Sequence, residues 1–298
     1  MVDQVARLHD CDVVIVNYNA GDLLTACVGS ALVAGAARVI VVDNASHDGS
    51  LSNVEAAFAG DERLAVVRNQ QNLGFAAACN IGIDATLAGT VFFLNPDSTI
   101  TAPSLARMME VLHSDAKIGM VGGFLSNPDG SEQPGGRREM PTPSNAFARA
   151  FGLTKLAKLF PSVFGDFRLT DAPLPRAPTP VAAMSGACML VKRAAIDDVG
   201  RWDSDYFLHC EDLDWCMRFT LKGWQMVFVP DAPVVHEWGA CSRSRPVFVE
   251  WHKHRGMLRF YGKFYRQRYS QITWWLVTLG VWLRFGMMAA YYTVRRVV

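Results

Sequence analysis

Val91-Phe92-Phe93-Leu94-Asn95-Pro96-Asp97-Ser98 is the stretch on which the fold turns. Its four apolar residues are too few for a helix and have no polar face, so they suit a strand buried on both sides. Pro96 removes a backbone donor and stops the pairing. Asp97 therefore stands just past the carboxyl end of a buried strand, where open α/β sheets bind their ligands. A hard carboxylate there suits a magnesium or manganese ion carried in by a diphosphate, because such ions take one or two protein carboxylates plus phosphate oxygens. The plainer alternative is a type I turn with proline at its second position.

Upstream, the same grammar repeats. Val13–Val16 is an apolar run closed by Asn17-Tyr18-Asn19-Ala20-Gly21, after which Asp22 can cap a helix reaching about Ala34. Val39–Val42 is closed by Asp43-Asn44-Ala45-Ser46-His47-Asp48-Gly49-Ser50, and Leu64–Val67 leads through Asn69–Gly74 into a small-residue helix, Phe75–Ala85. Strand–helix units in this succession predict an α/β fold with a mostly parallel, doubly wound central sheet. No Gly-x-Gly-x-x-Gly follows the first strand and no Walker loop occurs, which disfavours a dinucleotide-dependent dehydrogenase or a P-loop NTPase. Polar groups are offered instead at three strand ends: Asn17–Asn19, Asp43–Ser46 and Asp97. Gly74 either lets backbone approach a ligand or simply starts the helix.

Downstream, residues 130–180 are rich in proline and break this rhythm, with a helix-like piece at Ser144–Leu159 and the pair Arg137-Arg138. Their position inside the fold predicts an insertion over the site, with arginines that either meet a diphosphate or are solvated. Ala187–Val191 resumes as a strand behind Gly186. Glu211, Asp212 and Asp214 then open a helix with Leu213, Met217 and Leu221 on one side. Acids favour a helix N-terminus, and Asp214–Arg218 is an ordinary i,i+4 pair. A carboxylate there can also act as a general base. His236 follows Val234-Val235 at another strand end, while Trp224 and Trp238 read as packing.

Half of the 298 residues are hydrophobic, so a core is assured. Seven cysteines without tight paired spacing form no disulfide framework. Cys11, Cys27, Cys79 and Cys188 read as reduced core positions, and the spacing of His209, Cys210, Cys216, His236 and Cys241 fits no usual zinc pattern. The N-terminus lacks an apolar signal-peptide core, so a cytoplasmic location is expected. Charge is uneven: the first 250 residues carry 20 basic and 28 acidic side chains, and from Trp251 onward there are nine basic and none acidic. Such a tail seeks phosphate, in nucleic acid or anionic lipid. Pro246–Tyr269 is a basic, aromatic helix, and Ile272–Val294 is 23 residues with Arg284 as its one charge. That length can span a bilayer, although a central arginine costs about 2.5–3.5 kcal/mol on insertion scales. We therefore expect membrane association, spanning or interfacial, and no nucleic acid.

Val-Asn-Tyr-Asn (16–19), Val-Asp-Asn-Ala-Ser-His-Asp-Gly-Ser (42–50), Asn-Leu-Gly-Phe-Ala-Ala-Ala-Cys-Asn (72–80), Asn-Pro-Asp (95–97), Ser-Gly-Ala-Cys-Met-Leu-Val-Lys-Arg (185–193), Phe-Leu-His-Cys-Glu-Asp-Leu-Asp-Trp-Cys-Met-Arg (207–218), Lys-Gly-Trp (222–224) and His-Glu-Trp-Gly (236–239) together resemble the family 2 inverting glycosyltransferases of GT-A fold, in their rhamnosyltransferase-like branch. The resemblance covers about residues 12 to 265. It implies that Asn17, Tyr18, Asn19, Asp43, Ser46, Asn72, Gly74, Asn80 and Asn95 hold the nucleotide, and that Asp97 and His236 hold a magnesium or manganese ion and the diphosphate. It implies Asp212 as the base, with Glu211 as rival, and Gly186, Trp238 and Arg218 beside donor or acceptor. The family's Asp-x-Asp stands here as Asn95-Pro96-Asp97, and Cys241-Ser242 stands where a serine is expected. The implied donor is dTDP-rhamnose or a UDP-hexose. The implied acceptor is a lipid-linked saccharide of the cell surface, met at the cytoplasmic face of the inner membrane. A non-catalytic, membrane-held nucleotide-sugar-binding subunit is the rival from another class. The expected division is a domain over 1–245, with a nucleotide-sugar half at 1–125 and an acceptor half at 126–245, followed by C-terminal helices over 246–298.

Overall fold

The computed structural model describes residues 10–150, 167–170, 172–237 and 245–295, with the backbone alone described for 147–150. Strands β1 (Cys11–Asn17), β2 (Arg38–Asp43), β3 (Leu64–Arg68) and β4 (Thr90–Leu94) lie parallel in the order β3-β2-β1-β4. Helices α1 (Leu23–Val33), α2 (Ser50–Ala57) and α3 (Phe75–Ala85) connect them. β1 and β2 extend past their apolar runs because their polar ends also pair, with Asn17 opposite Asp43. Asp22 precedes α1 as expected but does not cap it. Its backbone is already helical (φ −69°, ψ −17°), whereas a capping side chain needs an extended backbone to reach back. Its carboxylate instead accepts from Asn53 Nδ2 at 3.3 Å.

Beyond β4 the sheet becomes mixed. The chain continues through β5 (Ser98–Ile100), α4 (Ala102–Ser114), β6 (Ile118–Ser126), β7 (Arg137–Arg138), α5 (Pro143–Ala150), β8 (Thr179–Pro180), β9 (Ala183–Met184) and β10 (Cys188–Lys192). After these come α6 (Arg193–Val199), α7 (Glu211–Leu221), β11 (Gln225–His236), α8 (Pro246–Phe264) and α9 (Gln271–Arg295). β10 inserts antiparallel between β4 and β6, while β11 runs parallel to β6 and antiparallel to β5. The nine-stranded sheet thus reads β3-β2-β1-β4-β10-β6-β11-β5, with β8 beside β11, and β7 and β9 form a separate pair.

Both faces of this sheet are buried, with the period-2 alternation that strands require. Cys11, Val13, Ile15, Val39, Val41, Phe92 and Leu94 share one core with α1 and α4; Val14, Val16, Ile40, Val42, Val91 and Phe93 share the other with α3, α7 and α8. In the second core Phe93 meets Trp202 and Trp215 edge-on, at 5.3 and 5.5 Å between ring centroids. Each such pair adds about 0.5–1.5 kcal/mol beyond area burial. Cys11, Cys27, Cys79 and Cys188 are buried thiols outside any disulfide, as expected. Burial pushes the Cys188 thiol up to about 12.

α8 is seated on this body by charge and by shape. Lys263 Nζ lies 2.7 Å from Asp214 and 2.9 Å from Asp203, and Arg259 lies 3.0 Å from Asp203. Much of the basic helix therefore faces the protein's own acids. Its backbone comes close as well: a Cβ on Gly256 would lie 2.7 Å from the His209 carbonyl oxygen. That carbonyl belongs to a constrained turn, since His209 and Cys210 have φ of 69° and 71°. Gly256→Ala should cost about 1–3 kcal/mol through this clash. Gly286→Ala in α9 meets nothing within 4 Å and should stabilise by up to about 1 kcal/mol. Urea midpoints of the two variants check this, and a wild-type midpoint for Gly256→Ala would contradict the seating of α8.

Candidate active site

The carboxyl ends of β1 and β2 are laced into one unit. Asn17 Nδ2 donates to Asp43 Oδ1 at 2.7 Å, Ser46 Oγ at 3.0 Å and Ser50 Oγ at 2.9 Å. Ser46 N donates to Asp43 Oδ2 at 3.1 Å, Asn19 N to Ser46 Oγ at 3.0 Å, and His47 N to Asn19 Oδ1 at 2.8 Å. The Gly21 and Ser50 amides close on Asp48, whose carboxyl stays below its usual range; burial opposes this, and the hydrogen bonds from Ser50 and Gly21 outweigh it. Asn17 is thus the clamp that orients Asp43, while Tyr18 and Asn19 stand at the open rim.

Asn72 and Gly74 form the next wall. Asn72 Oδ1 accepts from Gly74 N at 2.9 Å, and Asn44 Nδ2 donates to Gly74 O at 3.2 Å. At Gly74 (φ 87°) a Cβ would lie 2.5 Å from the Phe207 carbonyl oxygen, so the close approach is to the protein's own backbone. Asn80 faces inward. Its amide exchanges two hydrogen bonds with the Trp202 backbone, at 2.9 and 3.1 Å, and anchors α3 to that loop. Asn95 N donates to Ala187 O at 3.0 Å, which ties the end of β4 to the segment entering β10. Gly186 lies between Phe75 and Asp212, both within ordinary contact of the position a Cβ would take.

Asp97 and His236 meet because β5 and β11 pair with His236 opposite Ser98. Both are buried, with Asp97 Oδ1 3.0 Å from His236 Nε2. Gln133 sets the histidine tautomer. Its Nε2 donates to His236 O at 2.8 Å and Asn127 Oδ1 at 3.1 Å, so its Oε1, 2.6 Å from His236 Nδ1, must accept. The Nδ1 proton is thereby fixed, so in the neutral ring the Nε2 lone pair faces a carboxylate oxygen that has no hydrogen-bond partner among the described residues. In that form two lone pairs oppose each other at this distance and are relieved by a proton or by a shared metal ion, and an oriented imidazole beside a carboxylate is a usual donor set for such an ion. The pair fits a divalent ion that completes its shell from a diphosphate. Among the described residues no group of three or more His, Cys, Asp or Glu could hold a metal without such help.

The two rival bases differ sharply. Glu211 is buried, and its Oε2 has no hydrogen-bond partner among the described residues. Burial, together with the neighbouring Asp212 charge, pushes its carboxyl up to about 8. Asp212 is partly exposed; Arg138 donates to its Oδ2, and Leu213 N donates to Oδ1 at 2.8 Å. Of the two expectations for the insertion arginines, solvation is the one that fails: both are paired within the protein. Arg138 also reaches the Met184 carbonyl at 2.6 Å. Arg137 is buried against Glu132 at 2.7 Å and the Ala172 carbonyl at 2.7 Å. Arg218 bonds Asp214 at 2.7 Å and the carbonyls of Val199, Gly200 and Arg201, which commits its guanidinium to structure. A recess of about 280 Å³ opens beside this region, lined by Tyr206, Phe207 and His209 of the loop and by His252, Arg255 and Arg259 of α8. Trp238, Cys241, Ser242 and the second half of the Ser144–Leu159 segment lie outside the described residues. Gln133 carries no signal in the sequence, and Arg138 was legible only as one of an adjacent pair.

The model for "Glycosyl transferase family 2" matches residues 12–200, and that for "Glycosyl transferase family group 2" matches 154–296. The N-acetylglucosaminyl-diphospho-decaprenol L-rhamnosyltransferase of Mycobacterium tuberculosis is 30% identical over 237 residues, 75% of either chain. Among solved structures, the Pyrobaculum calidifontis mannosyltransferase PcManGT with GDP-mannose and Mn2+ superposes with a TM-score of 0.56 at 16% identity, over 94% of this chain and 75% of that one. GalNAc-T7 with UDP, GalNAc and Mn2+ gives 0.55 at 18% identity, over 76% of this chain and 43% of that one. The fold is GT-A-like.

The Glu211 environment has a pH signature. A carboxyl raised from 4.5 to about 8 stays protonated in the folded state while the unfolded chain ionises. Its contribution to stability is therefore complete below pH 4.5 and is lost as pH rises towards 8. Glu211→Gln should gain stability relative to wild type across that window, by up to about 1.4 kcal/mol per pH unit. Paired urea melts at several pH values measure the difference, which should be flat if Glu211 titrates normally.

Proposed function

The chain belongs to family 2 of the glycosyltransferases, and from that premise we propose that it moves L-rhamnose, with inversion, from dTDP-rhamnose to a lipid-linked saccharide. The work is done at the cytoplasmic face of the inner membrane, in the assembly of cell-surface polysaccharide. The observation that carries the reading is the opposed Asp97–His236 pair at the strand ends where the Asp43 clamp and Asp212 also open. The name of the mycobacterial relative supports both the sugar and the diphosphate-linked acceptor. The long apolar helix α9 supports the membrane.

The chemistry follows from the residues. Asp43, held by Asn17 and Ser46, faces base and ribose at the strand ends. Asp97 and His236 would hold a magnesium or manganese ion against the donor diphosphate, and that ion would neutralise charge on the departing nucleoside diphosphate. Asp212 takes the proton of the acceptor hydroxyl as its oxygen attacks the anomeric carbon and the bond from that carbon to the diphosphate oxygen breaks. Glu211, protonated at neutral pH, is unsuited to that task. Arg138 shares Asp212 with the acceptor or swings aside, so it belongs to the acceptor side of the site. A UDP-hexose donor is the second reading, favoured by the UDP complex among the structural neighbours. Asp97 and His236 meet at one strand end, and Asp212 packs beside Gly186, whose neighbour Ala187 bonds Asn95 of that end, which argues against a subunit that only binds.

Thermal stabilisation against a panel of nucleotides and nucleotide sugars, with and without manganese, discriminates the donors. dTDP-rhamnose should give the largest shift, and Asp97→Asn should abolish its manganese-dependent part while the fold survives. A manganese response that persists in Asp97→Asn removes that residue from the metal. Asp212→Asn should keep donor affinity within about threefold and cut turnover by roughly 10²–10⁴, the range that loss of a general base allows. If Glu211→Gln loses as much turnover as Asp212→Asn, the base lies elsewhere.

A further inference from the structure

α9 does not stand away from the body of the protein. Trp274, near its start, reaches to 3.6 Å from where a Cβ on Gly262 would stand, near the end of α8. Towards the start of α8, Trp251 meets Trp282 at 5.0 Å and Phe285 at 5.5 Å between ring centroids. The two helices are therefore an antiparallel hairpin, packed side by side along most of α8. Arg284, the apparent misfit of the apolar run, belongs to this seam. Its Nη1 lies 2.9 Å from His254 Nε2 and 3.7 Å from Glu250 Oε2, both on α8 and both buried. His254 Nδ1 donates to the Glu250 carbonyl at 2.7 Å, which leaves Nε2 free to accept from the arginine.

The opposite side of α9 is bare. Ile272, Leu276, Leu279, Leu283, Met287 and Tyr291, at spacings of three and four, are each between 50% and 74% exposed. They make one continuous apolar stripe along the helix. Arg268 before it and Arg295 at its end are exposed cations, and Trp275 and Tyr291 are the ring types that settle at headgroup level. An apolar stripe with basic ends complements an anionic lipid surface.

Length does not settle how the helix meets lipid, because 25 residues span about 37 Å and a hydrocarbon core about 30 Å. The other face settles it. α8 is bound to the catalytic body through Lys263, Arg259 and Gly256. Were α9 to cross the bilayer, α8 would be drawn in beside it with Lys253, Arg255, Arg259 and Lys263. Building on the membrane reading above, we propose that α9 lies in the plane of one leaflet of an anionic bilayer, its stripe facing the acyl chains and its Arg284 seam facing α8. The hairpin is a monotopic seat. It holds the recess beside His209 and Arg255 at headgroup height, where a lipid-linked acceptor presents its diphosphate.

Depth measurement on the full chain tests this. Single cysteines placed at Ile272, Leu279 and Tyr291, in a Cys241→Ser background, carry an environment-sensitive fluorophore. The protein is bound to vesicles of phosphatidylglycerol and phosphatidylcholine, with quenchers placed at two acyl depths. In-plane seating gives all three sites the same shallow depth, and Leu279→Asp with Leu283→Asp lowers vesicle partitioning at least tenfold while dTDP affinity holds. A deep Leu279 between shallow ends overturns the in-plane mode and leaves the membrane reading standing. A chain that ignores vesicles and sediments as a dimer overturns both, and assigns the stripe to a second copy.

Discussion

β4 is buried on both faces and must be paired on both edges, and the site follows from how that demand is met. β1 satisfies one edge in parallel, within the same half of the chain. The other edge is satisfied by β10, which arrives antiparallel after the long insertion, with Cys188 opposite Leu94. A buried strand edge without such a partner would leave a row of amides and carbonyls unpaired. Because β10 is the partner, Ala187 and Gly186 come to rest against Asn95, and Asp212 comes with them. The chain leaving β4 then crosses to the far side of the sheet as β5, where the register with β11 presents His236 to Asp97.

Acidic groups crowd this end of the sheet, and their partners divide the labour among them. Asp43 is buried and oriented by an amide and a serine. Asp97 faces an imidazole whose tautomer is set by Gln133. Asp212 is shared with Arg138 from the insertion. Asp214, fully buried, is taken up by Arg218, Lys263 and the Tyr206 hydroxyl at 3.2 Å, so it joins α7 to α8. Glu211 makes no ion pair among the described residues, and burial with the Asp212 charge beside it keeps it protonated at neutral pH. Five carboxyl groups of similar intrinsic acidity thus acquire different roles from burial and neighbours.

The turn at His209 and Cys210 joins these parts mechanically. Two consecutive non-glycine residues at positive φ are costly, and they persist only where the surroundings over-determine them. Here Gly256 supports the turn from α8, and Phe207 touches Gly74 while stacking on His252 at 4.5 Å. Burial, with help from the nearby Lys253 charge, pushes the His209 imidazole down to about 4, so it stays neutral there. The Asn72–Gly74 wall, helix α7 and the C-terminal hairpin therefore meet on one short loop.

The sequence by itself determined the first four strands, the helices between them and the polar groups at strand ends, because burial on two faces writes continuous apolar runs and turn chemistry ends them. The motif resemblance also brought Asp97, His236 and Asp212 into view before any geometry did. Three things were decided only in three dimensions. The tautomer of His236 depends on Gln133, 103 positions away, whose orientation no local pattern encodes. The pairing of Arg138 with Asp212 depends on where the insertion folds, since an arginine in a proline-rich segment looks the same whether solvated or buried. Arg284 looked like a flaw in an apolar helix because its neighbours one turn away are apolar, but its partners, Glu250 and His254, lie on a different helix. Local periodicity reports which face of an element is buried; the groups that meet across that face are chosen by the packing of the whole chain.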